Sequence, residues 1–305
     1  MATRLLTELT APALAEALRP DSVLVLPTGA IEQHGPHLPV ATDLITAQSL
    51  AERAVERFGD ELDLWLLPPL AYTKSNEHAW SAGTFWLSAH TLTAVLRDLG
   101  RSVAATPARR LAFLNGHGGN SALLQVVARD IRVETGLATF TLHPRPPVDQ
   151  GGTSPAGELG MGVHGGFEET SLMLHLRPDL VDMGKAGRWV PEHLAGYRHV
   201  RFGGSVAFGW TSDDFGPDGV IGDARGATAE DGARRAEQAV AYLGEALGEV
   251  ARFDPAPPTA AGGWAAPRGR TASSRVDPLV PPTTGDTDRA REVTVRERPR
   301  GTVGP

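Results

Sequence analysis

Short apolar runs alternate with longer amphipathic ones through residues 1–253, and few folds accommodate that rhythm. Strands are expected at Val23–Pro27, Leu62–Pro68, Leu111–Asn115 and Leu137–Leu142. Helices are expected at Leu44–Phe58, Leu92–Ala105, Ser121–Glu134, Glu168–Leu176 and Ala229–Val250. Strand followed by helix, repeated, is the pattern of a parallel sheet with helices on both faces. An apolar fraction of 41% is enough to fill the core of such a domain. Residues 143–163 read as a loop, with Pro144, Pro146, Pro147 and Gly151-Gly152.

In an open parallel sheet, ligands bind beyond the carboxyl ends of the strands. The first strand runs into Pro27-Thr-Gly-Ala-Ile-Glu32-Gln33-His34-Gly-Pro-His37-Leu-Pro-Val-Ala-Thr-Asp43. This stretch places two carboxylates and an imidazole next to a buried strand end. Burying two carboxylates together is costly without a cation, so the segment suits a divalent metal. His117 follows the third strand in Asn115-Gly-His-Gly118-Gly119-Asn120, where glycines let backbone approach a ligand and leave amides for an anionic oxygen. Asn120 or Ser121 could cap the helix that follows. In His164-Gly-Gly-Phe-Glu168-Glu169-Thr-Ser, Glu169 is a candidate further ligand and His164 a candidate acid/base group. Adjacent helical residues point about 100° apart, so only one of Glu168 and Glu169 is expected to face the site.

Taken singly, each residue has a plainer reading. A carboxylate in the first turn of a helix complements the helix dipole, and a lone histidine after a strand is commonly a hydrogen-bonded loop residue. Convergence of ligand-type side chains from several strand and helix ends is what favours a site. His78, in the loop before Trp80 and Gly83-Thr84, is a candidate for the substrate pocket. His37, Glu77, His90 and His143 carry weaker claims, and His175 and His199 read as surface or packing residues.

With no cysteine, disulfides and thiolate ligands are excluded, so any metal is held by oxygen and nitrogen. A net charge of −7 gives no support to nucleic-acid binding. No run of 18 apolar residues suggests a membrane span, and the N-terminus lacks a secretory core, so a cytoplasmic protein is expected. From Asp254 to Pro305 apolar periodicity stops and proline, glycine, threonine and arginine take over. The expected organisation is a catalytic domain over 1–253 and a disordered tail over 254–305.

Gly29-x-x-Glu32-Gln33-His34-Gly35-x-His37, Asp43, Asn115-Gly116-His117, His164-Gly165-Gly166-x-x-Glu169-Thr170-Ser171 and Arg177-Pro178-Asp179-Leu180-Val181-Asp182 together resemble the creatininase (creatinine amidohydrolase) family. The motifs keep the family's order across about residues 5–250. The resemblance implies a three-layer α/β/α fold with a mostly parallel sheet. It also implies a homohexamer and a binuclear centre of two divalent ions (Zn²⁺, Mn²⁺ or Fe²⁺) that hydrolyses amide-type C–N bonds. Carried over by position, Glu32, Asp43 and His117 would hold one ion, and His34 with the bridging Asp43 the other. His164 would move the proton. Creatininases proper carry Asn-Gly-His-Tyr-Glu, with that glutamate on the second ion, whereas Gly119 stands there in this chain. Relatives with the Gly-Gly turn fill the gap from the Glu-Thr-Ser segment, which assigns Glu169. Val163 also replaces the glutamate that creatininases have before the acid/base histidine.

The expected activity is therefore metal-assisted hydrolysis of an amide bond in a small creatinine- or formamide-like molecule, with His78, Gly118, Gly119 and Asn120 lining the substrate. A peptidase of the kind that trims the mycofactocin precursor is the alternative within the family. A non-catalytic metal-binding module is the alternative outside it, although such a module has no use for His164. No Gly-x-Ser-x-Gly elbow is present to suggest a serine hydrolase.

Overall fold

The computed structural model describes residues 3–144 and 155–254. Residues 145–154 of the 143–163 loop and nearly all of the expected tail lie outside the described residues. Four strands form a parallel sheet in the order β2-β1-β3-β4. These are β1 (Val23–Thr28), β2 (Leu64–Leu66), β3 (Arg110–Asn115) and β4 (Ala138–Leu142). The intervening segments are α2 (Thr42–Leu62), α3 (Ala89–Ala104) and α4 (Ser121–Thr135), as the alternation requires. A short α1 (Ala11–Ala17) precedes β1, and α5 (Phe167–Leu176) and α6 (Ala229–Arg252) follow the sheet.

Strand parity divides the interior into two cores. Val23, Val25, Leu64, Leu66, Ala112 and Leu114 face α2, α5 and α6 in one apolar cluster. Leu24, Leu26, Trp65, Leu111 and Phe113 face α3 and α4 in the other. Because alternate residues leave opposite faces, each buried strand must be apolar throughout, which is why the strands read as continuous hydrophobic runs. A third, smaller cluster joins Met161, Leu194, Phe202 and Ile221 to Phe208, Trp210 and Phe215. It lies beside an antiparallel pair, β5 (Arg188–Trp189) with β6 (Gly222–Asp223).

Five elements, α2, β2, α1, β5 and β6, differ from the sequence reading. The helix expected to end at Phe58 runs one turn further, to Leu62, and shortens β2 to three residues. Helix α1 was not anticipated, although Thr10 caps it by accepting the Ala13 amide and Pro12 sits in its first turn. The two-residue strands β5 and β6 are too short to show a periodicity of two.

Helix α2 stops at Asp63, a left-handed residue (φ 50°). Its carboxylate accepts from Ser22 Oγ at 2.6 Å, Arg4 Nη1 at 2.9 Å and Trp65 Nε1 at 3.0 Å. Burial opposes ionisation there, but these donors, with Arg19, hold the Asp63 carboxyl below the usual range. A depressed folded-state pKa gives stability above the unfolded value near 3.9 that fades as pH falls. Asp63→Asn, which tolerates the left-handed backbone, is expected to cost about 1–3 kcal/mol at pH 7. The difference from the unsubstituted chain should shrink below about pH 3.9, as read by urea unfolding across pH.

Candidate active site

Gly29 and Gly116, at the ends of β1 and β3, bring the start of α2 against the sheet. A Cβ on Gly29 would lie 2.5 Å from Leu44 Cα, and one on Gly116 would lie 2.7 Å from Ala47 Cβ. Only glycine permits that approach. It sets Asp43, in the first turn of α2, directly over the strand ends that carry Glu32, His34 and His117. His164 is fixed by an antiparallel bridge to Ile221, whose amide donates to the His164 carbonyl at 2.7 Å. Glu169 comes from the first turn of α5.

Glu32, His34, Asp43, His117 and His164 are all buried, and Glu169 is partly so. They form three overlapping groups whose donor atoms lie within 4.8 Å of one another: Glu32–Asp43–His117, His34–Asp43–Glu169 and Glu32–His34–His164.

Asp43 sits between two imidazoles. Its Oδ1 is 3.2 Å from His34 Nε2, and its Oδ2 is 2.9 Å from His117 Nδ1. The far nitrogen of each ring meets a backbone carbonyl: His34 Nδ1 lies 3.1 Å from the Glu32 oxygen, and His117 Nε2 lies 3.0 Å from the Lys74 oxygen. A carbonyl only accepts, so each far nitrogen carries the hydrogen and donates. The near nitrogens of the neutral rings therefore turn lone pairs toward a carboxylate. Acceptors that face each other at this distance require a positive charge between them.

The unsatisfied atoms point the same way. Glu32 Oε1, Glu32 Oε2 and Asp43 Oδ2 are buried without a hydrogen-bond partner, although imidazole nitrogens stand 2.9–3.6 Å away. In the metal-free site protons would supply the charge. Burial alone would lower the His34 pKa, but Asp43, Glu169 and Glu32 raise it to about 10. Burial likewise opposes charge on His117, yet Glu32, Asp43 and Glu77 hold its pKa well above the ordinary value. Burial drives the Glu32 carboxyl well above its usual range, whereas the two imidazoles outweigh burial at Asp43 and hold its carboxyl far below. Three carboxylates and two or three imidazoles with no thiolate suit Zn²⁺, Mn²⁺ or Fe²⁺.

His164 Nε2 lies 2.6 Å from the Gln33 carbonyl oxygen, and its Nδ1 lies 3.6 Å from Glu32 Oε1. Burial and the neighbouring His78 and His34 keep it well below the usual histidine pKa. His78 is buried between Gln33, whose Nε2 lies 2.9 Å from His78 Nδ1, and Glu32, and burial pulls its pKa down to about 3. Glu168 and Glu169 differ in their contacts, but both line the cleft, contrary to the expectation that only one would face it: Glu168 pairs with Arg235 at 3.2 Å, while Glu169 approaches His34 at 3.7 Å and accepts the Gly165 amide at 2.7 Å.

Gly118 and Gly119 line the cleft with His78, and a Cβ on Gly118 would meet nothing within 4 Å. Asn120 differs from expectation. It stands at the N-cap of α4 but makes no side-chain cap, because its amide is spent on Gly29, Thr73, Asn115 and Lys74 in bracing the loops. Glu77 and Gln33 are the polar residues that sequence reasoning undervalued. Glu77 Oε1 is 3.4 Å from His117 Nε2, and its Oε2 is 2.8 Å from Lys74 Nζ. Burial opposes its charge, but these neighbours bring its pKa down to about 2. Gln33 lies inside the Glu32-Gln33-His34 motif and Glu77 outside the motifs, but both owe their roles to contacts with loops distant in sequence.

The cleft in front of this cluster measures about 450 Å³. Leu50, Leu172, Phe208 and Trp210 form apolar parts of its wall. That volume and mixture are ordinary for a small-molecule or short-peptide site.

The creatininase family, described as creatinine amidohydrolase, matches residues 7–247. The chain belongs to the creatininase family. It is accordingly a hydrolase of amide-type C–N bonds. The mycofactocin precursor peptide peptidase of Mycobacterium ulcerans (strain Agy99) is 37% identical over 243 residues, 77% of this chain and 86% of the relative. The creatinine amidohydrolase of Pseudomonas putida is 35% identical over 182 residues, 54% of this chain and 68% of the relative. Among solved structures, a mutant creatininase of Zn-Zn type superposes with a TM-score of 0.63 at 28% identity, covering 83% of this chain and all of that one. Among the described residues, no helix of this creatininase-family chain is long and apolar enough to cross a membrane.

Proposed function

We propose that the chain is a two-metal amidohydrolase whose scissile bond is a peptide bond in a short precursor peptide. The observation that carries the two-metal reading is Asp43, which presents one carboxylate oxygen to each of two imidazole lone pairs. Glu32, Asp43 and His117 would hold one ion, and His34, Asp43 and Glu169 the other. When bound, such ions supply a water acidic enough to ionise near neutral pH, about 7 in place of about 15.7, and polarise the substrate carbonyl.

The chain's own residues do the rest. Glu32, whose buried oxygens lack a hydrogen-bond donor and whose carboxyl burial keeps from ionising, would carry its charge only against a bound cation. The Gly118–Gly119 backbone borders the cleft where the carbonyl oxygen would lie and can approach it closely. His164, neutral and beside Glu32, is placed to take a proton from the attacking water and return it to the leaving nitrogen. Leu50, Leu172, Phe208 and Trp210 exclude bulk water from part of the cleft.

The peptide reading rests on the stronger and longer similarity to the mycofactocin precursor peptide peptidase. Gly119 supports it too, because the chain lacks the glutamate that creatininases proper have at this position. Full-length protein loaded with Zn²⁺ or Mn²⁺ should shorten the mycofactocin precursor peptide, as seen by mass spectrometry, and leave creatinine unchanged. Conversion of creatinine to creatine with the peptide intact would overturn the substrate assignment.

A further inference from the structure

We infer that Glu77 is a positioning residue for His117, and that it occupies the space left by the missing side chain at position 119. The inference rests on the metal reading above and adds to it a residue from a different loop.

Three observations converge on Glu77. A Cβ on Gly119 would fall on Glu77 Oε1 and crowd His117 Nε2, so a side chain at 119 would have to displace this carboxylate. Glu77 stands 3.4 Å from His117 Nε2, the nitrogen that also meets the Lys74 carbonyl at 3.0 Å, and not beside Nδ1, which faces Asp43. Glu77 also belongs to none of the ligand groups found among the described residues. It therefore touches the ring at the nitrogen turned away from Asp43, which Glu32 Oε2 also approaches at 3.4 Å. A carboxylate on the far nitrogen of a ligating histidine fixes its tautomer, locks its orientation and makes the other nitrogen a better donor. Lys74 secures the arrangement twice: its ammonium holds Glu77 Oε2 at 2.8 Å, and its carbonyl accepts from His117.

The short 76–78 turn thus touches two members of one ion group. Glu77 steadies His117, and His78, the next residue, stands 3.4 Å from Glu32 Oε1. In this chain the centre gains its carboxylate neighbour from the 72–86 loop and not from the turn after β3. That placement leaves open space beside the backbone at Gly118, where a Cβ would meet nothing within 4 Å.

The test is metal titration of the full-length chain as E77Q, E77A and E77D, with Zn²⁺ competed against a chromogenic chelator at one fixed pH. Melting of the metal-free proteins serves as the control for folding. Loss of such an outer partner typically weakens metal binding by about 10–100-fold. E77A is expected to show that loss for one of two ions, with the ion held by His34, Asp43 and Glu169 little affected. E77Q should lie between E77A and the unsubstituted chain, because it keeps an acceptor but loses the charge, and E77D should recover part of the affinity. Melting of the metal-free proteins should barely move. Unchanged binding of both ions by E77A overturns the inference alone, and so does equal weakening of both ions with a lowered melting temperature. Failure of the unsubstituted chain to bind Zn²⁺ overturns the metal reading itself, and the inference with it.

Discussion

Asp43→Ala should strip the protein of both ions and of hydrolytic activity in a single substitution. Asp43 is the one side chain shared by the Glu32–Asp43–His117 and His34–Asp43–Glu169 groups, and its two oxygens face different imidazoles. Removing it leaves His34 and His117 with no carboxylate between them and Glu32 as the remaining buried anion beside both. The affinity loss should far exceed the roughly 10–100-fold typical of an outer-sphere partner. Metal analysis after gel filtration, together with turnover, reads both effects. Retention of two ions per chain by Asp43→Ala, or hydrolysis that survives both the substitution and a chelator, would falsify the bridging role. Asp43→Asn is the milder version: it keeps the shape and one acceptor but lacks the charge that opposes two cations.

His164→Ala separates two roles that geometry alone leaves in competition. His164 belongs to a ligand group with Glu32 and His34, yet it also stands where a proton carrier is needed. If it carries the proton, the variant keeps two ions and loses about 10²–10⁴-fold in turnover, the usual contribution of a positioned acid/base group. Added imidazole should restore part of the rate only in that case, which makes it a useful second readout. If His164 is instead a ligand, metal content drops along with turnover. We expect the first outcome, because the ring's Nε2 is engaged by the Gln33 carbonyl and its Nδ1 is the more distant from Glu32 of the site's contacts, at 3.6 Å.

Much of this was legible in the chain because the sheet is parallel and buried. Val23–Leu26 and Leu111–Leu114 had to be apolar on both faces, so they stood out, and the amphipathic stretches between them could only be the covering helices. The ligand-type residues were legible for a related reason: they sit within a few residues of strand ends or helix starts, where a local pattern can mark them. The roles of Glu77 and Gln33 were not, because what defines them is proximity across about 40 to 180 residues of chain, to His117 for the first and to His78, His164 and Ser212 for the second. Asn120 was misplaced for the opposite reason. Its position before α4 is that of a cap, but the loops around it offered its amide four stronger claims. The antiparallel β5–β6 pair and the aromatic cluster around Phe202 depend wholly on tertiary packing, since segments of two residues carry no repeat.

The order in which the chain supplies its ligands has a consequence for biosynthesis. Glu32, Asp43 and His117 all precede Ser121 and are brought together by β1 and β3, neighbours in the sheet, and by α2. Glu169 arrives only with α5, after the loop that follows β4. A nascent chain that has paired β1 with β3 already holds one complete ion group, while the other waits for α5 to dock. The two halves of the centre thus mature at different times, and early capture of a cation by the first half would hold together the same strand ends on which the second is later built.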